Sequence, residues 1–520
     1  MLPLGEKHHA LLDHAVARIK SDLHGFRFYE EGWGGQLPDL LPSTARSLLA
    51  AAQSPTRAGQ PAPLARLELM DSPHGSDSVL VAEGSFDSPG DVRLLPSPSL
   101  RARFQVVAPA AAVRAGRPLP VVVLLPGTGE QGFRRRRHCV SYPLATAGIA
   151  SVILEGPLYG SRRPRGQAGT KLRTFADLLG LGLTTIAEAA ALVGWLRGTP
   201  PSLSIEPCGS VPEELGAPDS LSARLRTGQA LCGVGSPVVL AGVSMGGLHA
   251  AMAASALPPA LSAGLGVVSW LGPPSAAPVF ALGALAGGVD WAALAAGAKR
   301  DAPLGRALEA GLLGMEAELG AAAAPPSWRG HVQDVDVAEA WQSRARSALA
   351  DPGLGLPLPP AQAAAAQGLM HTHAAAAENV LLPTHAAGSH PGGAGSSDPP
   401  AWLAGLPRLP SRAAPPTAAS LLLSPADFAH ARRQLARASA VTELSNFPPP
   451  ARPDAAIFTL GCTDLYVPAT PQTARTWEHV RQAWAGCDVR QVRGGHVSAA
   501  VFCLDTFLGT LKEVVQRLTR

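Results

Sequence analysis

Short runs of β-branched and aliphatic residues recur along the chain, separated by gaps of helix length. The first two, VLVAEGSFDSP at 79–89 and LRARFQVVAP at 100–109, lie close together and predict an antiparallel opening pair. PVVVLLPGTGE at 120–130 is an unbroken aliphatic run closed by a glycine turn, the pattern of a strand buried on both faces. GIASVILEGP at 148–157 follows, and then FADLLGLGLTTIAEAAALVGWL at 175–196 predicts one long helix. Further strands are predicted at 238–243 (VVLAGV), 264–272 (GLGVVSWLG), 455–464 (AAIFTLGCTD) and 488–496 (DVRQVRGGH), with a closing helix from about 497 to 518. Alternation of β and α at this spacing predicts a doubly wound, mostly parallel sheet of the α/β class.

Between about 300 and 440 the periodicity fails. GLGLPLPPAQAAAAQGLM, HTHAAAA and SHPGGAGSSDPPAW read as low-complexity linkers, with helical pieces such as SPADFAHARRQLARAS embedded in them. The chain therefore divides into an N-terminal extension (1–75), the first part of a core (76–299), a large, partly disordered cap or insertion (300–440) and the closing part of the core (441–520). His371, His373, His385 and His390 fall in the insertion without the carboxylate or cysteine spacing of a metal site, so no metal or other cofactor is expected.

Composition adds limits rather than an identity. The chain has 520 residues, 46% of them hydrophobic, which is ample for a sizeable core. A net charge of +4 with both signs interspersed gives no argument for a nucleic-acid partner. Six scattered cysteines with no C-x-x-C pair suit a reducing compartment. The first 22 residues contain Glu6, Asp13 and Asp22 and no apolar signal core. The most apolar windows carry charges or are broken by proline and glycine, so no transmembrane segment is expected. Together these predict an intracellular protein, cytoplasmic or mitochondrial, touching a membrane peripherally at most.

The chemistry concentrates where strands end. After VVLAGV comes Ser244 in Gly242-Val243-Ser244-Met245-Gly246, a G-x-S-x-G at a strand-to-helix seam. Such a turn can lift a serine hydroxyl clear of the backbone as a nucleophile; the bland alternative is a helix-capping serine. Asp464 ends the strand TLGCTD and His496 the next one, which puts acid and base after the serine in the order Ser, Asp, His. His496 would take the serine proton while Asp464 holds its tautomer. The alternatives are a turn aspartate and a histidine capping the final helix. An oxyanion would be held by the N–H of Met245 and by a second N–H in the loop LLPGTGEQG, from Thr128 or Gly129. Glu155 reads either as an acidic partner of the site or, more simply, as a buried structural acid, and His249 as a structural residue of the helix after Ser244. Arg135, Arg136 and Arg137 follow the oxyanion loop, and Arg162 and Arg163 follow the next strand. That pattern suits bidentate binding of a phosphate or carboxylate at one rim, or else a solvated face.

An ordered series of short matches makes the sequence resemble the α/β-hydrolase domain-containing protein 18 family. The matches are GWG (32–34), EGSFDSP (83–89), ARFQ (102–105), GTG (127–129) followed by RRR (135–137), LEGPLYGSRRP (154–164), GVSMGG (242–247), SW (269–270), TELSNF (442–447) and GGHVSA (494–499). The resemblance implies the α/β-hydrolase fold, a triad of Ser244, Asp464 and His496, and action on lipid acyl esters, including mitochondrial phospholipid. The chain departs from the family in having only Phe133 where two aromatics precede the arginines, and in its long biased insertion. The expectation is a serine hydrolase of a small-molecule or lipid ester. Acyl transfer and a non-catalytic scaffold that binds anionic lipid or a protein remain as alternatives.

Overall fold

The computed structural model describes residues 6–22, 27–53, 68–70, 79–198, 231–299 except 234, 302–321, 333–334 and 424–520. All of them fall in one compact unit. The rest of the expected insertion, including His371, His373, His385 and His390, lies outside the described residues.

Nine strands form one sheet: β1 (Glu68–Met70), β2 (Val79–Asp87), β3 (Arg101–Pro109), β4 (Val121–Leu125), β5 (Ala150–Leu154), β6 (Val238–Val243), β7 (Leu265–Trp270), β8 (Ala456–Gly461) and β9 (Asp488–Val492). Their order is β1-β2-β3-β5-β4-β6-β7-β8-β9. The pairs from β1 to β5 are antiparallel and those from β5 to β9 parallel. The strands read from the sequence are all present; β1 is an addition the hydrophobic pattern did not mark. The central strands β4 and β7 are buried along their whole length, as unbroken aliphatic runs require.

Helices cover both faces. They are α1 (Glu6–Asp22), α2 (Leu37–Gln53), α3 (Phe175–Arg197), α4 (Met245–Ala256), α5 (Trp291–Ala298), α6 (Pro303–Ala321), α7 (Pro425–Ser439), α8 (Pro471–Ala483), α9 (His496–Phe502) and α10 (Leu504–Thr519), with shorter turns between. The closing helix expected as one piece is two, α9 and α10, broken at Cys503. One face of the sheet packs Val239, Ala241, Val268 and Trp270 against Phe507, Leu511 and Val514 of α10. Alternate residues turn to the other face, where α3 and α4 lie.

α3 begins at a capping box. The Thr174 hydroxyl accepts from Asp177 N at 3.1 Å, the Asp177 carboxylate accepts from Thr174 N at 3.0 Å, and Gly198 closes the helix at φ 66°. This helix is long and apolar enough to cross a membrane by composition, yet two-thirds of its most apolar window is buried inside the protein. The pattern marked no helices before residue 75, but α1 packs on α9, and α2 packs on α6 and α4.

Candidate active site

The turn after β6 is strained at one residue. Ser244 has φ 57° and ψ −125°, a region that costs a non-glycine residue about 1–3 kcal/mol. Its side chain makes no capping bond to α4, which removes the reading of Ser244 as an ordinary helix cap. What holds the strain is backbone: Ser244 N donates to Trp270 O at 2.8 Å, and Gly247 N donates back to Ser244 O at 2.9 Å. A side chain at Gly246 would put a Cβ 2.6 Å from Leu125 O, so only glycine lets α4 start this close to the end of β4.

The ladder continues past the strand ends and ties the neighbouring turns together. Leu271 N donates to Thr459 O at 2.7 Å, Cys462 N to Val492 O at 3.0 Å, and Thr463 N to Gly494 O at 3.1 Å. Ser244, Asp464 and His496 therefore all stand at the C-terminal edge of the parallel sheet, where open α/β folds build their sites.

His496 Nδ1 lies 2.8 Å from Asp464 Oδ2, with both side chains buried. Asp464 Oδ1 accepts from Tyr466 N at 2.8 Å and Val467 N at 2.9 Å. The aspartate thus does both things the sequence allowed: it shapes its own turn and bonds the imidazole. The Tyr466 ring stacks on His496, with centroids 4.7 Å apart and planes 11° from parallel. Burial pushes the Tyr466 hydroxyl well above its ordinary value, so the stacked ring stays neutral. Nothing in the sequence singled out Tyr466.

Ser244, Met245 and Thr128 line one pocket. Its walls are mostly apolar: Leu178, Leu183 and Ile186 of α3, Leu248 and Met252 of α4, and Phe280. Met245 is the first residue of α4, so its N–H is one of the donors a helix start leaves without an intrahelical partner. Of the two candidate donors in the glycine loop, Thr128 lines the pocket; Gly129 does not, and stands against Thr170 instead. His249, read from sequence as structural, is a wall of this pocket, and burial lowers its pKa to about 4, so it is neutral there.

The arginines require correction. Arg162 is 1% exposed, with Nη1 and Nη2 2.9 and 2.5 Å from the buried Glu188 carboxylate. It also donates to Glu155 O at 2.7 Å and Ser99 O at 2.8 Å. Arg136 is buried too, donating to Leu124 O at 2.6 Å and paired with Glu130 at 3.2 Å. Neither can meet a ligand, because a guanidinium taken out of water needs its charge and donors satisfied inside the protein. Arg137 is half-buried and donates to Gln105 Oε1 at 3.3 Å. Arg135 and Arg163 are exposed, and none of the five lines the pocket. Glu155 is a buried structural acid, accepting from Ser161 N at 3.0 Å and Ser161 Oγ at 2.6 Å. Among the described residues no group of three or more His, Cys, Asp or Glu stands where it could hold a metal ion.

The strand order, antiparallel at the start and parallel from β5 to β9 with β4 and β5 exchanged, is that of the α/β-hydrolase fold. A family model described as alpha/beta hydrolase domain containing 18 matches residues 26–201 and 220–517. The chain belongs to that family. Among solved structures it is similar to acetyl xylan esterase 1 from Thermoanaerobacterium sp., with a TM-score of 0.34 and 11% identity over 93% of this chain and 96% of that one. It is also similar to brefeldin A esterase, a bacterial homologue of human hormone sensitive lipase, with a TM-score of 0.32 and 12% identity over 92% of this chain and 84% of that one.

Proposed function

We propose that this protein is a serine hydrolase of acyl esters. Ser244 Oγ attacks the ester carbonyl, His496 takes its proton, and Asp464 holds the ring and stabilises the imidazolium. The oxyanion that forms accepts from the N–H groups of Met245 and Thr128. His496 then returns the proton to the leaving alcohol, and a water molecule repeats the sequence on the acyl-enzyme. The observation that carries this reading is the backbone of Ser244, a non-glycine residue held at φ 57° where it lines an apolar pocket. Strain of that kind persists only where surrounding structure enforces it, and it concentrates at active sites.

The pocket favours the substrate's apolar portion. Leucine, isoleucine and phenylalanine beside the serine suit an aliphatic acyl chain, each buried methylene contributing about 0.8 kcal/mol. A phosphate headgroup has lost its strongest support, since Arg136 and Arg162 are buried in structural pairs; of the five candidate arginines, Arg135 and Arg163 are exposed and Arg137 is half-buried. The free thiols of Cys139, Cys232, Cys462, Cys487 and Cys503 fit a reducing, intracellular setting.

The test uses a fluorophosphonate probe and a series of p-nitrophenyl esters. Wild type should label at Ser244, and Ser244→Ala should not. For the esters, kcat/KM should climb by about fourfold per added methylene until the pocket is full. Folded wild type that fails to label would sink the hydrolase reading and leave the scaffold in its place. A flat response to chain length would remove the pocket from it.

A further inference from the structure

The helix before the core reaches into the proposed site. Asp13 of α1 is wholly buried, and its carboxylate accepts three backbone N–H bonds from the two turns that bear the acid and the base. Oδ2 accepts from His496 N at 2.7 Å and from Leu465 N at 3.0 Å, and Oδ1 accepts from Val497 N at 2.7 Å. One carboxylate thus bridges the residue after Asp464 and the first two amides of α9. These amides are helix-start donors that the local sequence leaves unsatisfied, because Gly495 at the cap position has no side chain to accept from them. The glycine is there to admit the aspartate: a Cβ on Gly495 would lie 2.5 Å from Asp13 Oδ2. A second bond from α1 supports the same turn, His9 Nδ1 lying 2.9 Å from Ser498 Oγ, which in turn accepts from Gly495 N at 2.9 Å.

We propose that Asp13 is a positioning residue for the hydrolytic site: by bonding both turns it fixes the separation and orientation of Asp464 and His496. This inference rests on the serine-hydrolase reading above. Asp464 sets the tautomer of His496, but it cannot hold the main chain from which the ring projects. That chain turns through two glycines, Gly494 and Gly495, whose backbone has the widest conformational freedom. Charge-assisted bonds to a carboxylate on a separate helix remove that freedom. A proton-transfer base displaced by about 1 Å can cost on the order of a hundredfold in rate, so the tether belongs to catalysis as well as to folding.

The test measures turnover per active site rather than per milligram. Full-length wild type, Asp13→Asn and Asp13→Ala are titrated with the fluorophosphonate probe, and hydrolysis of a p-nitrophenyl ester is divided by the titre. Asp13→Asn keeps the shape and one acceptor oxygen, so it remains informative if Asp13→Ala does not fold. The expected result is a fall in kcat per titrated site of about ten- to a hundredfold with KM within about twofold. A smaller loss should follow His9→Ala. A residue that only supported folding would lower the titre and the melting temperature while leaving kcat per site within about twofold of wild type, and that result would overturn the inference. Amide exchange at Gly495–Val497 gives an independent reading: it should speed by at least about tenfold in Asp13→Asn, and unchanged exchange would also overturn it. Wild type that neither labels nor turns over would instead bring down the hydrolase reading, with any altered exchange then marking Asp13 as a structural tether alone.

Discussion

Ser244 is held by its neighbours in sequence and in the sheet, whereas the amide of His496 is held by a carboxylate 483 positions away. The serine's turn spans contiguous residues: β6 ends, the backbone is forced through φ 57°, and α4 begins. Its supports are ladder bonds to the adjacent strand. The histidine's turn has two glycines, leaves the strand ladder after Thr463 N to Gly494 O, and depends on α1 for the acceptors its helix start lacks. A nucleophile can be pre-organised by backbone strain that the local chain encodes. The proposed base, whose ring must sit between an acid and a substrate, draws on a distant part of the fold.

The largest effect that tests this contrast is at Ser244 itself. Ser244→Ala should lower kcat by about a million-fold, the scale seen when a triad serine is removed. Ser244→Gly should be equally inactive, yet melt at a higher temperature than Ser244→Ala, because glycine accepts φ 57° without the penalty. If the glycine variant melts no higher, the turn is not strained as described, and the local half of the comparison fails.

The two adjacent arginines after β5 extend the contrast. Arg162 is anchored by Glu188 on α3 and by Ser99, while the Arg163 side chain makes one long bond among the described residues, to Gly169 O at 3.4 Å. Arg162→Gln should destabilise the protein by about 3–5 kcal/mol, because it leaves Glu188 buried and unpaired. Arg163→Gln should stay within about 0.5 kcal/mol of wild type. Urea unfolding of both variants decides this; equal midpoints would mean that the buried pair contributes nothing beyond its surroundings.

Two buried groups should oppose each other in acid. Burial raises the Asp13 carboxyl from an ordinary 3.8 to about 6, with Asp464 adding to the rise against three N–H bonds. Between pH 4 and 6 the folded state then holds the proton more tightly than the unfolded one, so this group's contribution falls as pH rises, by about 3 kcal/mol across the window. Burial lowers His249 from 6.5 to about 4, so there the unfolded state binds the extra proton and stability rises with pH by a similar amount. Melting temperatures from pH 4 to 6.5 should therefore climb more steeply in Asp13→Asn than in wild type. In His249→Gln they should climb less, or fall. Parallel profiles for all three proteins would show that neither group carries the shift ascribed to it.

Deletion of residues 350–415, a stretch rich in Pro, Gly and Ala, should also have a small effect. The melting temperature should move by no more than a few degrees, and Ser244 labelling should persist. Loss of soluble protein would mean that this stretch supports the fold.

Much of this molecule was legible in the chain because the relevant physics is local. Strands β4 to β7 announce themselves through aliphatic runs, and α3 through its long apolar stretch. G-x-S-x-G at a strand end, followed by an aspartate and a histidine at later strand ends, marks Ser244, Asp464 and His496 as candidates, and the structure puts the last two in contact. What the tertiary structure decided is the fate of isolated charges. Arg162 and Arg163 are identical neighbours in sequence, yet one is sealed against Glu188 and the other lies in solvent. Asp13 looks like any acid on an amphipathic helix, and only the docking of α1 on α9 makes it the acceptor for the histidine's turn. The pocket likewise takes its walls from α2, α3, α4 and the turns near Phe280 and Val441, which are far apart in the chain. A backbone pattern repeats every two or 3.6 residues and can be read locally. Whether a charge is paired in the dark or hydrated at the surface depends on which distant element covers it, and no periodicity in the sequence records that.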